Sequence, residues 1–294
     1  MRVTLYGTRG SIPAPGPETM RYGGNTPAVQ VRAENGAVLV LDAGSGIRRL
    51  GAQLSTTTTR VDILLTHLHM DHIQGLGFFP PLYNPAVEVH LWGPATSTLS
   101  LDARLSRYLS PPLFPIHLRD LPSVSCHHVP CPSFDIGPFR ILTALVSHPG
   151  PTVGYRIEAD GGIVSYLSDH EPALCLRNGQ WPGREWVSGF DLAAEADLLI
   201  HDAQYTDEEY DSHVGWGHSS YRHAFEFASY VGARKLVAFH HDPDRDDEML
   251  DLLQENAVRD IRPNFAVSSG CEGAVFDIGR GADGADALLE PRSR

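Results

Sequence analysis

Leu64-Leu65-Thr66-His67-Leu68-His69-Met70-Asp71-His72 is the stretch on which the reading of this chain turns. Apolar residues over 61–65 predict a buried strand, which runs straight into three imidazoles and a carboxylate. Imidazole nitrogen and carboxylate oxygen suit a borderline cation such as zinc. In an extended segment residues 67 and 69 fall on one side, so His67 and His69 can reach the same ion. If the chain then turns into a helix, Asp71 and His72 can face a second ion nearby. A chance surface cluster is the bland alternative; four ligand-type residues packed at one strand end argue against it.

Outward from this point, short apolar strands alternate with helical patterns. Strands are expected over residues 3–6, 38–41, 61–65, 87–91, 140–146, 153–157, 163–167, 198–200, 236–239 and 274–276. Helical spacing appears at Leu101, Leu105 and Tyr108. It returns at Ala224, Phe227, Ala228 and Val231 after a cap at Ser219 or Ser220, and at Met249, Leu252 and Leu253 after Asp246 and Asp247. Two proline-rich stretches, residues 12–24 and 110–122, read as long loops beside the scaffold. There is no internal repeat. The expected organisation is one domain over residues 1–278, with a flexible tail over 279–294.

The 294 residues are 42% hydrophobic, enough for a sizeable core, and no apolar run is long enough to span a membrane. The N-terminus reads directly as a strand, without the basic start and apolar stretch of a secretory signal. Four cysteines in a chain of this length do not suggest a disulfide scaffold, so a cytoplasmic protein with reduced thiols is expected. The formal net charge of −13 disfavours long nucleic acids as partners but not a small anion, because bound cations reverse the local sign.

The motif His-x-His-x-Asp-His after a buried strand resembles the signature of the metallo-β-lactamase superfamily. Leu39-Val40-Leu41-Asp42-Ala43-Gly44 resembles that family's earlier strand with its aspartate. Tyr6-Gly7-Thr8-Arg9-Gly10-Ser11-Ile12-Pro13, followed by Gly24-Asn25-Thr26, resembles the opening of the branch that holds ribonuclease Z and related phosphodiesterases. The resemblance implies an α/β fold: an αββα sandwich of two mixed β-sheets flanked by helices.

It also implies further ligands. His148 in Val146-Ser147-His148-Pro149-Gly150 fits the third ligand of the first metal. Asp169 in Tyr166-Leu167-Ser168-Asp169-His170 fits a carboxylate bridging both. In Val237-Ala238-Phe239-His240-His241-Asp242-Pro243 the last ligand is His240, with His241 the alternative by register. One ion would then lie on His67, His69 and His148, the other on Asp71, His72 and His240, with Asp169 between. Two such divalent ions, zinc by default with manganese or iron as options, can share a water and hold it as hydroxide. Asp42 would orient a ligand rather than bind metal.

Leu199-Ile200-His201-Asp202-Ala203-Gln204-Tyr205, then Gly217-His218-Ser219-Ser220, resembles paired motifs of the ribonuclease Z branch. The resemblance makes His218 a general acid or phosphate ligand and Asp202 its acidic partner. The alternative is that His218 merely precedes a helix cap. His148 and Asp169 are close in sequence, leaving no room for the arm with which ribonuclease Z grips transfer RNA. The expected activity is therefore a dinuclear phosphodiesterase acting on a cyclic nucleotide or other small phosphodiester. A lactonase, thioesterase or β-lactamase-type hydrolase of the same fold is the runner-up, and a non-catalytic metal-stabilised sensing module the option from another class. Cys126 and Cys131, flanking His127 and His128, lack the spacing of a zinc ribbon. Arg9, Arg21 and Arg48 are candidate anion contacts that sequence does not place. A homo-oligomer is left open.

Overall fold

The computed structural model describes residues 1–279. Apart from Gly279, the expected tail lies outside the described residues. A first sheet contains β1 (Arg2–Gly7), β2 (Ala28–Arg32), β3 (Val38–Leu41), β4 (Arg60–Leu64), β5 (Glu88–Gly93) and β6 (Val124–His128). A second contains β7 (Ser133–Ile136), β8 (Phe139–Leu145), β9 (Val153–Ala159), β10 (Gly162–Leu167), β11 (Leu198–Asp202), β12 (Lys235–Phe239) and β13 (Ala266–Ser269). The last strand, β14 (Val275–Asp277), returns to the first sheet beside β1. The strand orders are β14-β1-β2-β3-β4-β5-β6 and β13-β12-β11-β10-β9-β8-β7. Both sheets are mixed: β3 to β6 and β10 to β13 run parallel, the other neighbours antiparallel.

The four-residue strand β3 shows why the sheets stack. All of Val38, Leu39, Val40 and Leu41 are buried. Side chains alternate across a strand, so Leu39 and Leu41 point into the space between the sheets while Val38 and Val40 point outward. A strand apolar on both faces needs a layer on each. Between the sheets Leu5, Val31 and Leu64 meet Ile157, Tyr166 and Phe239. Outside the first sheet, α1 (Ile47–Gln53) and α3 (Leu101–Leu105) contribute Ile47, Leu50, Leu101 and Leu105. Outside the second, α4 (Phe190–Ala193), α6 (Tyr221–Val231) and α7 (Asp247–Ile261) contribute Leu192, Phe225, Phe227 and Leu250. Each such fully buried Leu or Phe stabilises the fold by about 1.5–3 kcal/mol.

The helix ends follow local chemistry. The Ser220 hydroxyl accepts the His223 amide to open α6, and Gly232 at φ 70 closes it. Asp246 caps α7 through the Met249 amide. The expected strands and the helices carrying α6 and α7 are present with small shifts at their ends. β2, β7, β13 and α1 were not foreseen, nor was α5 (Asp207–His213), which Thr206 and Glu209 open with a capping box. The helix expected through Tyr108 stops at Leu105, and the chain continues in turns towards Pro111 and Pro112. Among the described residues no helix is long and apolar enough to cross a membrane.

Candidate metal centre

The candidate residues gather where parallel strands end. Asp42 follows β3, His67 and His69 follow β4, Asp169 follows β10, Asp202 ends β11 and His240 follows β12. A single helical turn, α2 (Met70–Ile73), carries Asp71 and His72, and His148 lies in the turn between β8 and β9. This is the strand edge at which open parallel sheets place their ligands.

The side chains meet closely. His148 Nε2 lies 3.3 Å from His69 Nδ1, and His67 Nε2 lies 3.7 Å from Asp169 Oδ2. His72 Nε2 is 3.2 Å from Asp71 Oδ2 and 3.1 Å from Asp169 Oδ1. His240 Nε2 is 3.1 Å from Asp71 Oδ2 and 3.3 Å from Asp169 Oδ2. Ligand atoms of His67, His69 and His148 lie within 4.8 Å of one another, as do those of Asp71, His72 and His240, and those of His67, His72 and Asp169. Asp169 thus stands between two nests of nitrogen and oxygen.

The outward ring nitrogens of His67, His72, His148 and His240 are tied down, leaving the inward ones available. His72 Nδ1 donates to Asp42 Oδ2 at 2.8 Å. His148 Nδ1 donates to the Gly217 carbonyl at 2.9 Å, and His240 Nδ1 to Gln204 Oε1 at 3.0 Å. His67 Nδ1 reaches the Thr66 hydroxyl at 3.0 Å, which itself donates to Asp42. Anchors of this kind fix tautomer and ring direction. The buried Nε2 atoms of His67 and His72 have no hydrogen-bond partner, the short approach of His72 to Asp169 being badly aligned for one. A divalent cation that displaces any ring proton satisfies such a set: unpartnered imidazole nitrogens facing two carboxylates.

Electrostatics divides the centre in two. Burial disfavours charge on every member. On one side burial wins: the His67, His69 and His148 imidazoles are all pushed down, His67 well down, and stay neutral. On the other, attraction overrides burial. His72 and His240 hold Asp71 and Asp169 well below the usual carboxylate range, while those carboxylates raise His72 well up and His240 to about 9.

Beside this centre, His218 Nδ1 donates to Asp202 Oδ2 at 2.7 Å and stacks on His240 with centroids 5.0 Å apart. Asp202 Oδ1 also accepts the Ser219 and Gln204 amides, fixing the turn that carries His218. One residue here escaped sequence reading. Glu171 is fully buried and accepts from Tyr210 Oη at 2.9 Å, the Gly215 amide at 2.8 Å and the Gly217 amide at 2.7 Å. It therefore anchors the loop whose Gly217 carbonyl holds His148. Only glycine fits there, since a Cβ on Gly217 would sit 2.3 Å from His148 Nδ1. The loop after β1 also arrives unforeseen at this depth: the Ser11 amide donates to Asp71 Oδ2 at 2.8 Å.

Other candidates turn away. His241 donates through Nε2 to the Gly270 carbonyl, so His240, not His241, faces the centre. His170 and His201 bond to each other at 2.9 Å behind it. Arg9 is fully buried and ties the carbonyls of Gly23, Asp242 and Arg245, so it serves the loops rather than an anion. Arg21 pairs with Asp251, and Arg48 is exposed on α1. Cys126 packs against the apolar layer outside the first sheet, and Cys131 receives the Thr143 hydroxyl.

The sequence is similar to ribonuclease Z of Thermoplasma acidophilum, 26% identical over 304 aligned residues covering 90% of this chain and 93% of that protein. The structure is similar to the metallo-beta-lactamase fold protein YhfI from Bacillus subtilis (TM-score 0.68, 18% identity, 94% of this chain and 99% of that one). It is also similar to a diphosphatase from the PhnP family (TM-score 0.67, 17% identity, 94% and 97% covered). The profile of the Beta-lactamase superfamily domain matches residues 38–241, a span running from the first residue of β3 to just past His240. That match takes in more than half of the chain and every candidate residue of the centre, and the chain belongs to the beta-lactamase superfamily.

Proposed function

We propose that this protein is a dinuclear metal-dependent phosphodiesterase acting on a cyclic nucleotide or another small phosphodiester. A metal-dependent hydrolase acting on phosphodiesters is what the family and the ribonuclease Z relatives support. The observation that carries the finer reading is the convergence of five imidazoles on Asp71 and Asp169, with the Asp202–His218 pair alongside. In this reading His67, His69 and His148 would hold one ion and Asp71, His72 and His240 the other, with Asp169 available to both. Zinc suits the donor set best, with manganese or iron as alternatives. When bound, the ions supply an activated water and Lewis-acid stabilisation of charge on the phosphoryl oxygens.

The chain's own residues do the rest. Asp71, held at the Ser11 amide, orients the attacking water. His218 hands a proton to the leaving oxygen, and Asp202 takes up its Nδ1–H so that Nε2 is the nitrogen left to serve the substrate. We also read residues 1–278 as one domain, supported by β14 closing on β1 and by the Met1 amine donating to the Ile278 carbonyl at 2.7 Å.

A small substrate is favoured because the interval between His148 and Asp169 holds only the β9–β10 hairpin, with no projecting arm. The second reading is RNA processing, which the name of the curated relatives favours. A lactone, thioester or β-lactam substrate would leave the Asp202–His218 pair without work, and a sensing module would leave the whole centre without it. The test is a panel on zinc- or manganese-loaded protein: bis-p-nitrophenyl phosphate, cyclic nucleotides, a precursor transfer RNA, lactones and a chromogenic β-lactam. Turnover of the small phosphodiesters is expected. Lactone or β-lactam turnover without them overturns the reading, and precursor cleavage far exceeding cyclic-nucleotide turnover replaces it with the second.

A further inference from the structure

A cavity of about 450 Å³ opens on the side of His67 and His69. Small-molecule sites occupy roughly 300–1,000 Å³, so one substrate moiety fits. Leu68, Met70, Leu113 and Pro151 supply apolar surface, suited to a flat ring. Arg104, Arg107 and Tyr108, on the turn at the end of α3, supply the polar side.

Arg104 stands out because, of the described arginines without a carboxylate partner, it alone holds a buried nitrogen with no hydrogen bond. In this acidic chain Arg21, Arg49, Arg60, Arg156, Arg222 and Arg234 each pair with a carboxylate. Neither Arg104 nor Arg107 does so among the described residues. Arg104 is half-buried; one terminal nitrogen donates to the Pro94 carbonyl, and its buried Nε has no partner. Burial lowers its pKa with no nearby acid to offset the cost. Arg107 follows three residues later and is exposed. A desolvated guanidinium without a counterion costs stability that an arriving anion recovers, and the planar fork matches a phosphate.

We propose that this cavity is a subsite for a second anionic group of the substrate, so that the preferred phosphodiester is nucleotide-like and carries a further phosphate beyond the scissile one. The flat base lies on the apolar side and the remote phosphate on Arg104 and Arg107. Binding energy from such a remote group can be used to align the scissile bond with the centre. The inference rests on the phosphodiesterase reading for its substrate, but its binding arm is independent of turnover.

The test compares adenosine 2′,3′-cyclic phosphate with its 5′-phosphorylated form on metal-loaded protein. The 5′-phosphate should raise kcat/KM by about 10–100-fold, the range for one or two charge-assisted hydrogen bonds. Arg107→Ala and Arg104→Lys should bring the ratio towards one. Because the ratio is internal to each variant, losses of fold or metal cancel. In parallel, calorimetry should show adenosine 3′,5′-bisphosphate binding at least about tenfold tighter than adenosine 3′-phosphate in the parent protein and equally in Arg107→Ala. Discrimination in binding without turnover of either diester would sink the phosphodiesterase reading and keep the subsite. Equal binding of the two nucleotides by the parent protein, or a preference that survives both substitutions, overturns the proposal.

Discussion

Replacing Asp42 by Asn should cost metal affinity far more than it costs the fold. Asp42 is fully buried at φ 58, a left-handed conformation that Asn also tolerates, so the backbone need not move. Its Oδ1 accepts the Thr66 amide at 2.8 Å, which an Asn carbonyl can still do. Its Oδ2 accepts His72 Nδ1 at 2.8 Å and the Tyr166 hydroxyl at 2.9 Å. An amide NH2 in that place donates, so Tyr166 must rotate its proton and His72 must accept at Nδ1. The His72 proton then moves to Nε2, the atom that faces Asp71 and Asp169 and that the proposed site would use as a metal ligand. Losing a hydrogen bond to a charged acceptor costs about 1.5–3 kcal/mol, or roughly 10–100-fold in affinity, the same range seen when such anchors are removed from metal sites. Competition for zinc against a chromogenic chelator reads this directly. Tyr166→Phe, which removes one donor but leaves the His72 tautomer alone, should stay within about threefold of the parent. Parent-like zinc affinity in Asp42→Asn at both sites would show that the Asp42–His72 contact does not support metal binding.

His218→Ala should lower kcat by roughly 10²–10⁴-fold on substrates with an alkoxide leaving group, and by less with p-nitrophenolate, which needs little protonation; equal losses on both would argue against proton donation. Glu171→Gln places a donor against the Gly215 or Gly217 amide, which should loosen His148 and weaken zinc binding by about 10–100-fold without abolishing the fold; a chelator titration indistinguishable from the parent would remove Glu171 from the supporting structure. The metal-free protein should lose stability between about pH 6.5 and 9. His240 is raised to about 9 and His72 is raised well up, so their protonated forms stabilise the fold fully below the unfolded value of about 6.5 and cease to do so as pH climbs through the folded values. Scanning calorimetry of chelator-treated protein checks this, and a Tm that is flat or rising over that window contradicts it.

Much of this architecture was legible in the sequence because its signals are local. The ligand motif after β4 is contiguous, and the strands on either side of it are apolar runs ended by polar residues. The downstream residues His148, Asp169 and His240 follow strands in the same manner, which is why a resemblance could place them. What was not legible depends on contacts between distant segments. β2 carries the buried Gln30 and the partly exposed Arg32 in a short run, so its pattern is weak without its neighbours β1 and β3. Glu171 looks like any acidic residue until the loop before His218 folds onto it. Arg9 is an anion-contact candidate that the sequence does not place, and burial turns its donors onto backbone carbonyls. The single turn α2 is too short to show periodicity, so the sequence could state the turn of Asp71 and His72 only as a condition.

In the proposed site one chain binds two metal ions through His67, His69, His148, Asp71, His72, His240 and Asp169. Plasma emission analysis after zinc supplementation and removal of free metal tests it most directly, run on the parent and on Asp169→Ala. Two ions per chain are expected in the parent and a clear loss in the variant. A stoichiometry that stays at one or below in the parent, or two ions retained in Asp169→Ala, would contradict it.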